Sequence, residues 1–187
     1  MKPARPRAGN QQCQKHVQRF SLTGSQSGQL YRSRETEETS GARRFISRQP
    51  NCLHHKCTAG RRKFLACSEV HEILRGIWER SAKHDGWWIG HYILMPDHVH
   101  LFARPEIDAS LMANWMLMWK SVSSRRIAAA LSFKPPIWQA DYFDRYLRSA
   151  ESYSEKWQYV ADNAVRAGLV SGAEVWPYRG TIHDMMF

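Results

Sequence analysis

Residues 93–102 read ILMPDHVHLF and contain a strand break between two apolar segments. Its apolar start runs into a Pro-Asp pair that breaks a strand, and an extended pattern resumes at His98. Together with the aromatic and β-branched residues from Trp87 onward, it predicts two strands joined by a tight turn. Successive side chains of a strand point to opposite faces, so His98 and His100 point the same way. Their imidazoles form one edge of a predicted metal site, and Asp97 is placed to orient a ring or a water molecule.

Helical periodicity flanks this hairpin. The predicted amphipathic helix before it has Ser68 as N-cap and ends near Gly86. A second helix is predicted over residues 108–131, and a third over residues 152–167, where Gly168 supplies a left-handed cap. The apolar side chains that recur at intervals of three and four residues in the first helix are Val70, Ile73, Leu74, Ile77 and Trp78.

The order of these elements predicts the fold class. A strand within residues 53–66 would precede the first helix, although LHHKCT at 53–58 is a poor strand sequence. The resulting pattern is α+β, a ferredoxin-like antiparallel sheet with helices packed on one face. The predicted domain covers residues 53–180, with a C-terminal tail at 181–187.

The basic charge is concentrated before this domain. The formal net charge is +10, yet residues 1–66 hold 14 Lys and Arg against 3 Asp and Glu, and the remainder holds 13 against 14. Residues 1–52 are rich in Gln, Ser, Arg and Gly, so we expect a basic, largely disordered segment. No apolar run is long enough to cross a membrane, and a cytoplasmic protein is expected.

The third predicted helix presents a tyrosine. Its apolar residues form one stripe, and Tyr159, Asn163 and Arg166 share the roughly opposite face because they are related as i, i+4 and i+7. A phenol has a reference pKa near 10, so it needs a metal or a base to act as a nucleophile. Tyr159 is therefore a candidate nucleophile, and the alternative is that it is an ordinary surface tyrosine. The competing candidates are Tyr142, Tyr146 and Tyr153.

The motif ILMPDHVHLF resembles the signature of the REP-associated tyrosine transposases, relatives of the small single-tyrosine insertion-sequence transposases in the HUH superfamily. Later blocks of that family have similar counterparts in the expected order: WQ at 138–139, FDRYLRS at 143–149 and YVADNAVRAGLV at 159–170. The resemblance covers about residues 57–178. It implies an HUH fold and metal-dependent cleavage and rejoining of single-stranded or hairpin DNA through a 5′-phosphotyrosine, by a monomer or homodimer.

The resemblance also implies roles for individual residues. Tyr159 would be the nucleophile, and His98, His100 and Asn163 would bind Mg²⁺ or Mn²⁺. Asp97 would support a histidine ring. The residues expected to contact DNA are Arg61, Arg145, Arg148 and Arg166.

The chain departs from the family at the start of the domain. Residues 48–56 replace the usual β-branched and aromatic strand, so we expect the opening strand to be missing or replaced, as a shifted reading frame would explain. A catalytically decayed or domesticated protein that binds hairpin DNA without cutting it is therefore an alternative. Another is a zinc-dependent nucleic-acid-binding module that uses Cys52 and Cys57, with Cys13 and His16 as further ligands.

Overall fold

The computed structural model describes residues 50–141, 143–147 and 149–185. The basic segment 1–49, with Cys13 and His16, lies outside the described residues, as do Tyr142 and Arg148. The strands are β1 (Cys52–Cys57), β2 (Trp87–Leu94), β3 (His98–Pro105), β4 (Phe143–Tyr146) and β5 (Arg179–Thr181). The α-helices are α1 (Ser68–Asp85), α2 (Met112–Leu131), α3 (Ala150–Ala161) and α4 (Asn163–Arg166), and short 3-10 helices span Ala59–Arg61 and Ala173–Val175.

The described strands form one antiparallel sheet in the order β4-β1-β3-β2-β5. The ferredoxin-like α+β prediction is confirmed. The tight hairpin between β2 and β3 is confirmed as well, with Leu94 paired to Val99. β3, which carries the two histidines of the HxH motif, therefore lies in the middle of the sheet.

The predicted loss of the opening strand is wrong. β1 pairs with β3 along its whole length and with β4 over four residues. Its sequence is a poor strand former, but the neighbouring strands supply hydrogen-bond partners on both sides, and alternate residues are buried. Lys56 is buried and donates to the carbonyls of Ala140 and Asp141, which ties β1 to the segment before β4.

The fold also extends slightly beyond the predicted domain limits. Asn51 and Cys52 are buried at the start of β1. At the other end, β5 finishes at Thr181, and Met185 packs into the core. Residues on either side of 53–180 therefore belong to the packed domain.

The first helix, α1, matches its predicted range closely. It begins at Ser68, but the N-cap is Cys67, whose side chain accepts no capping hydrogen bond, so the predicted Ser68 cap is wrong. It ends at Gly86, whose φ of 72° is left-handed and whose backbone N–H donates to Ala82 and Ser81. Glycine suits this position because a side chain there is strained and would meet the backbone of Ala109.

The second helix begins four residues later than predicted. The backbone N–H of Ser110 donates to the carbonyl of Asp85, and its own carbonyl accepts from the indole of Trp87. The third predicted helix is divided at Asp162 into α3 and α4, and Gly168 follows with a φ of 66°, as expected for a left-handed cap.

Helices cover both faces of the sheet, so the prediction of helices on one face is wrong. Trp78 of α1 and Trp115 of α2 pack with Leu101 of β3 in the larger core. Val160 of α3 packs with Phe102 of β3 in a second core on the opposite face. His98, His100 and Phe102 are two residues apart along β3, so their side chains point to the same face of the sheet. The histidines therefore share the face that α3 and α4 cover.

Among the described residues, no helix is long and apolar enough to span a membrane.

Candidate metal centre and tyrosine helix

Three histidine rings cluster on one face of the sheet. The predicted pair, His98 and His100, has ring centroids 5.1 Å apart. His55 on β1 joins them, with its ring 4.9 Å from that of His98 and stacked 4.6 Å from that of His100. One ring nitrogen from each residue lies within 4.8 Å of the other two, a grouping that can hold a metal ion.

Sequence reasoning missed His55. Strand register places it, because His55 lies directly opposite His100 in the β1–β3 ladder. Its neighbour His54 points to the other face, where its ring contacts Trp87 and Trp115. The alternation of side chains along β1 separates His55 from His54. It predicts which of them faces the HxH pair only once the pairing partner of β1 is known.

A carboxylate and an arginine hold the His98 ring. Nδ1 of His98 lies 2.7 Å from Oδ1 of Asp97, and Nε of Arg61 lies 3.1 Å from Oδ2 of the same carboxylate. Burial by itself raises the pKa of Asp97, but the hydrogen bond to His98 and the charges of His98 and Arg61 hold it below its usual value. The bonded Nδ1 leaves Nε2 of His98 directed away from the carboxylate, as in histidines that bind metals.

The other two imidazoles are held in the neutral form. Burial, followed by the charges of His98 and Arg61, lowers the pKa of His55 to about 4. Burial and neighbouring charges, including that of Arg166, lower the pKa of His100 to about 2. Neutral rings keep a lone pair for a metal at neutral pH.

The donor set fits a divalent metal ion. Nδ1 of His100 is buried and has no hydrogen-bond partner among the described residues, a costly state for a polar atom unless something binds it. Three neutral imidazoles from two strands converge on one point and supply the nitrogen ligands that such a site requires.

The tyrosine helix lies over the same face. Tyr159 is 64% exposed, whereas Val160, Ala161 and Ala164 are buried in the core, so the predicted presentation of Tyr159 is confirmed. The guanidinium of Arg166 lies 4.1 Å from the centre of the Tyr159 ring and donates to the side-chain oxygen of Asn163. The predicted common face of these three residues is therefore present despite the break at Asp162.

The rival tyrosines occupy different environments. Tyr153 is buried, and its hydroxyl lies 3.1 Å from Nδ1 of His91 and accepts the backbone N–H of His91 at 3.2 Å. Gly90 makes this approach possible, since a Cβ there would lie 2.6 Å from that hydroxyl. Tyr153 thus anchors α3 to β2. Tyr146 is 57% exposed on the edge strand β4.

The arginines expected to contact DNA differ in their surroundings. Arg61 is half-exposed but already engaged, since it pairs with Asp97 and donates to Sγ of Cys57 at 2.6 Å. Arg145 is exposed on β4, and Arg166 is exposed beside Tyr159. Arg148 lies outside the described residues.

A cleft opens beside the histidine cluster. Its volume is about 210 Å³, and Phe143 of β4, 60% exposed, forms part of its wall. The full lining is His55, Cys57, Gln139, Asp141 and Phe143.

The zinc module based on Cys52 and Cys57 is wrong. The two residues are five apart in β1, so their side chains point to opposite faces of the sheet. Cys52 is fully buried, and burial raises the pKa of its thiol to about 12, which disfavours the thiolate that zinc requires.

A central HxH strand in an antiparallel sheet, with a tyrosine-bearing helix over the same face, defines the class of small tyrosine transposase domains that the sequence resembles. The chain belongs to the family described as "Transposase IS200 like", whose model matches residues 51–163.

Two relatives agree with this assignment. The chain is 25% identical over 114 residues to a REP-associated tyrosine transposase of Escherichia coli (strain K12), an alignment that covers 60% of this chain and 62% of that relative. The chain therefore spans less than two thirds of that relative's length. The structure of a REP-associated tyrosine transposase bound to a REP hairpin matches with a TM-score of 0.55 and 20% identity, over 75% of this chain and 82% of that one. At that identity the match supports the fold.

Proposed function

We propose that this protein is a metal-dependent DNA strand-transferase that cleaves and rejoins single-stranded DNA beside a hairpin through a 5′-phosphotyrosine on Tyr159. The observation that carries the proposal is the placement of the exposed Tyr159 and the histidine cluster on one face of the sheet, with Arg166 over the Tyr159 ring and its charge acting on His100. The REP hairpin bound by the structural relative supports a hairpin substrate.

The reaction exchanges one phosphodiester bond for another. The Tyr159 oxygen forms a bond to phosphorus as the phenol gives its proton to solvent. The bond from phosphorus to the 3′ oxygen breaks, and that oxygen takes up a proton from solvent and leaves as a hydroxyl. A second 3′-hydroxyl reverses these steps and releases Tyr159. Because the energy of the phosphodiester is kept in the tyrosine ester, strands rejoin without ATP.

Each residue of the site has a proposed role in this reaction. His98 and His100 would hold Mg²⁺ or Mn²⁺, with Asn163 as the expected oxygen ligand, and Asp97 would fix the His98 ring. The metal, when bound, supplies a positive charge that polarises the scissile phosphate and stabilises the leaving oxygen. Arg166 places a second positive charge over the ring of Tyr159.

Surface side chains near the cleft suit single-stranded DNA. Phe143 exposes its aromatic ring on β4 on the same face as its partner His55, and Arg145, two residues later, shares that face. Exposed aromatic rings stack with unpaired bases, and arginines neutralise the backbone. This edge of the sheet is the proposed path of the strand into the histidine cluster.

The test is covalent trapping on a labelled oligonucleotide that carries a hairpin with single-stranded flanks, in the presence of Mn²⁺. Wild-type protein is expected to form an adduct that survives denaturing electrophoresis, and Tyr159→Phe is expected to form none while its melting temperature stays unchanged. Hairpin binding by the wild type without any adduct would instead identify a decayed or domesticated DNA-binding protein.

A further inference from the structure

His55 is the part of the histidine cluster to which the family motif assigns no role. It comes from β1, faces His100 across the β1–β3 ladder, and lies against both rings of the HxH pair. Two neighbouring strands thus contribute three imidazoles to one point.

The expected oxygen ligand is engaged elsewhere. The side-chain oxygen of Asn163 accepts a hydrogen bond from the guanidinium of Arg166, which also donates to the backbone carbonyl of Tyr159 at 2.7 Å. By contrast, Nδ1 of the buried His100 bonds to no other described group, and the His98 ring is held by Asp97. The ring nitrogens of the histidines are therefore better placed to bind a metal than the side-chain oxygen of Asn163.

We propose that His55, His98 and His100 are the three protein ligands of the metal centre, and that this centre selects Zn²⁺ or Co²⁺ over Mg²⁺. Imidazole nitrogen suits late first-row metals, whereas Mg²⁺ takes oxygen ligands in an octahedron. Three histidines with an open fourth position are a known catalytic arrangement for zinc. The inference replaces Asn163 by His55, and Mg²⁺ or Mn²⁺ by Zn²⁺ or Co²⁺, in the site of the proposed function. It rests on that function for one point, that a phosphate oxygen of the substrate takes the open position.

The ring nitrogens must move slightly closer together to bind one zinc ion. Zinc–nitrogen bonds of about 2.0–2.1 Å in a tetrahedron place the ligand nitrogens roughly 3.3 Å apart. The ring nitrogens lie within 4.8 Å of one another, so rotations about the side-chain bonds and small shifts of the strands suffice.

Metal binding is measured on the purified full chain without DNA, after removal of metal by a chelator. Calorimetric titration is expected to show one equivalent of Zn²⁺, bound at least about 100-fold more tightly than Mg²⁺, and Co²⁺ is expected to give the visible spectrum of a tetrahedral site. Mg²⁺ binding equal to that of Zn²⁺ would overturn the proposal.

Two matched substitutions locate the ligands. His55→Leu is expected to weaken Zn²⁺ binding at least about 10-fold, and His54→Leu, one residue away on the opposite face, is expected to leave it unchanged. Unchanged binding in His55→Leu, or a larger loss in Asn163→Ala, would overturn the assignment.

A third measurement needs no variant. X-ray absorption at the zinc edge of the loaded wild-type protein counts the imidazole ligands, and three are expected; two would contradict the role of His55 even if His55→Leu failed to fold. These readouts involve no DNA chemistry. Metal binding by three histidines without DNA cleavage would therefore overturn the proposed function and leave this inference intact.

Discussion

Arg166 lies over Tyr159, with its guanidinium 4.1 Å from the centre of the phenol ring. The same guanidinium donates to the carbonyl of Tyr159 and to the side chain of Asn163. Burial is the main cause that lowers the pKa of His100 on the sheet, and the charge of Arg166 contributes to it. One exposed arginine therefore contacts both Tyr159 and Asn163, and its charge acts on the histidine cluster.

Substitution of Arg166 is expected to slow the chemistry. Arg166→Ala should reduce the rate of covalent adduct formation roughly 10- to 100-fold, because a charge-assisted hydrogen bond to phosphate contributes about 1.5–3 kcal/mol. Single-turnover assays on the hairpin oligonucleotide give this rate. Arg125→Ala is the control, since Arg125 is exposed on α2, where it donates to the hydroxyl of Ser121 in the same helix. Equal rates for wild type and Arg166→Ala would contradict the assignment.

Loss of the Asp97 carboxylate is expected to weaken metal binding. Asp97→Asn removes the charged partner of His98 and should lower the affinity for a divalent ion about 10- to 100-fold, as substitutions of such supporting carboxylates do. Calorimetric titration measures the affinity, with the exposed Asp108→Asn as a control. If Asp97→Asn bound metal as tightly as wild type, its hydrogen bond to His98 would have no part in the site.

The buried His54 is expected to make folding sensitive to acid. Burial lowers its pKa from 6.5 to about 4, and both ring nitrogens have no hydrogen-bond partner among the described residues. Between those two pH values the unfolded chain binds a proton that the folded chain does not. The free energy of unfolding therefore has its full value above pH 6.5. It falls by about 3 kcal/mol, because of His54, as the pH falls towards 4.

Urea unfolding at pH 7 and pH 4.5, with a chelator present, measures this loss. Other buried histidines titrate in the same range, so the informative quantity is the difference between wild type and His54→Leu. The variant should lose less stability on acidification than wild type. An identical loss in both proteins would show that His54 is not the acid-sensitive group.

Much of the fold was predictable because local patterns and tertiary packing agree. The strand break at Pro96-Asp97 and the spacing of apolar residues in α1 predict the β2–β3 hairpin and its preceding helix. The left-handed Gly86 and Gly168 end helices where expected. The common face of Tyr159, Asn163 and Arg166 also follows from helical geometry alone.

What could not be predicted depends on long-range pairing. β1 has poor strand propensity, and it forms because β3 and β4 flank it. The position of His55 opposite His100 therefore could not be predicted without the register. The hydrogen bond from Arg166 to Asn163 was likewise hidden, because helical spacing gives proximity and not the choice of partner. Coverage of both sheet faces by helices depends on how α3 packs against Phe102.

The most direct test of the central claim identifies the residue that carries the DNA. Adduct formed on the hairpin oligonucleotide with Mn²⁺ is digested with nuclease and protease, and mass spectrometry locates the modified tyrosine. The account predicts a nucleotide on Tyr159 alone, with the adduct retained in Tyr153→Phe. A nucleotide on Tyr142, Tyr146 or Tyr153 would contradict it.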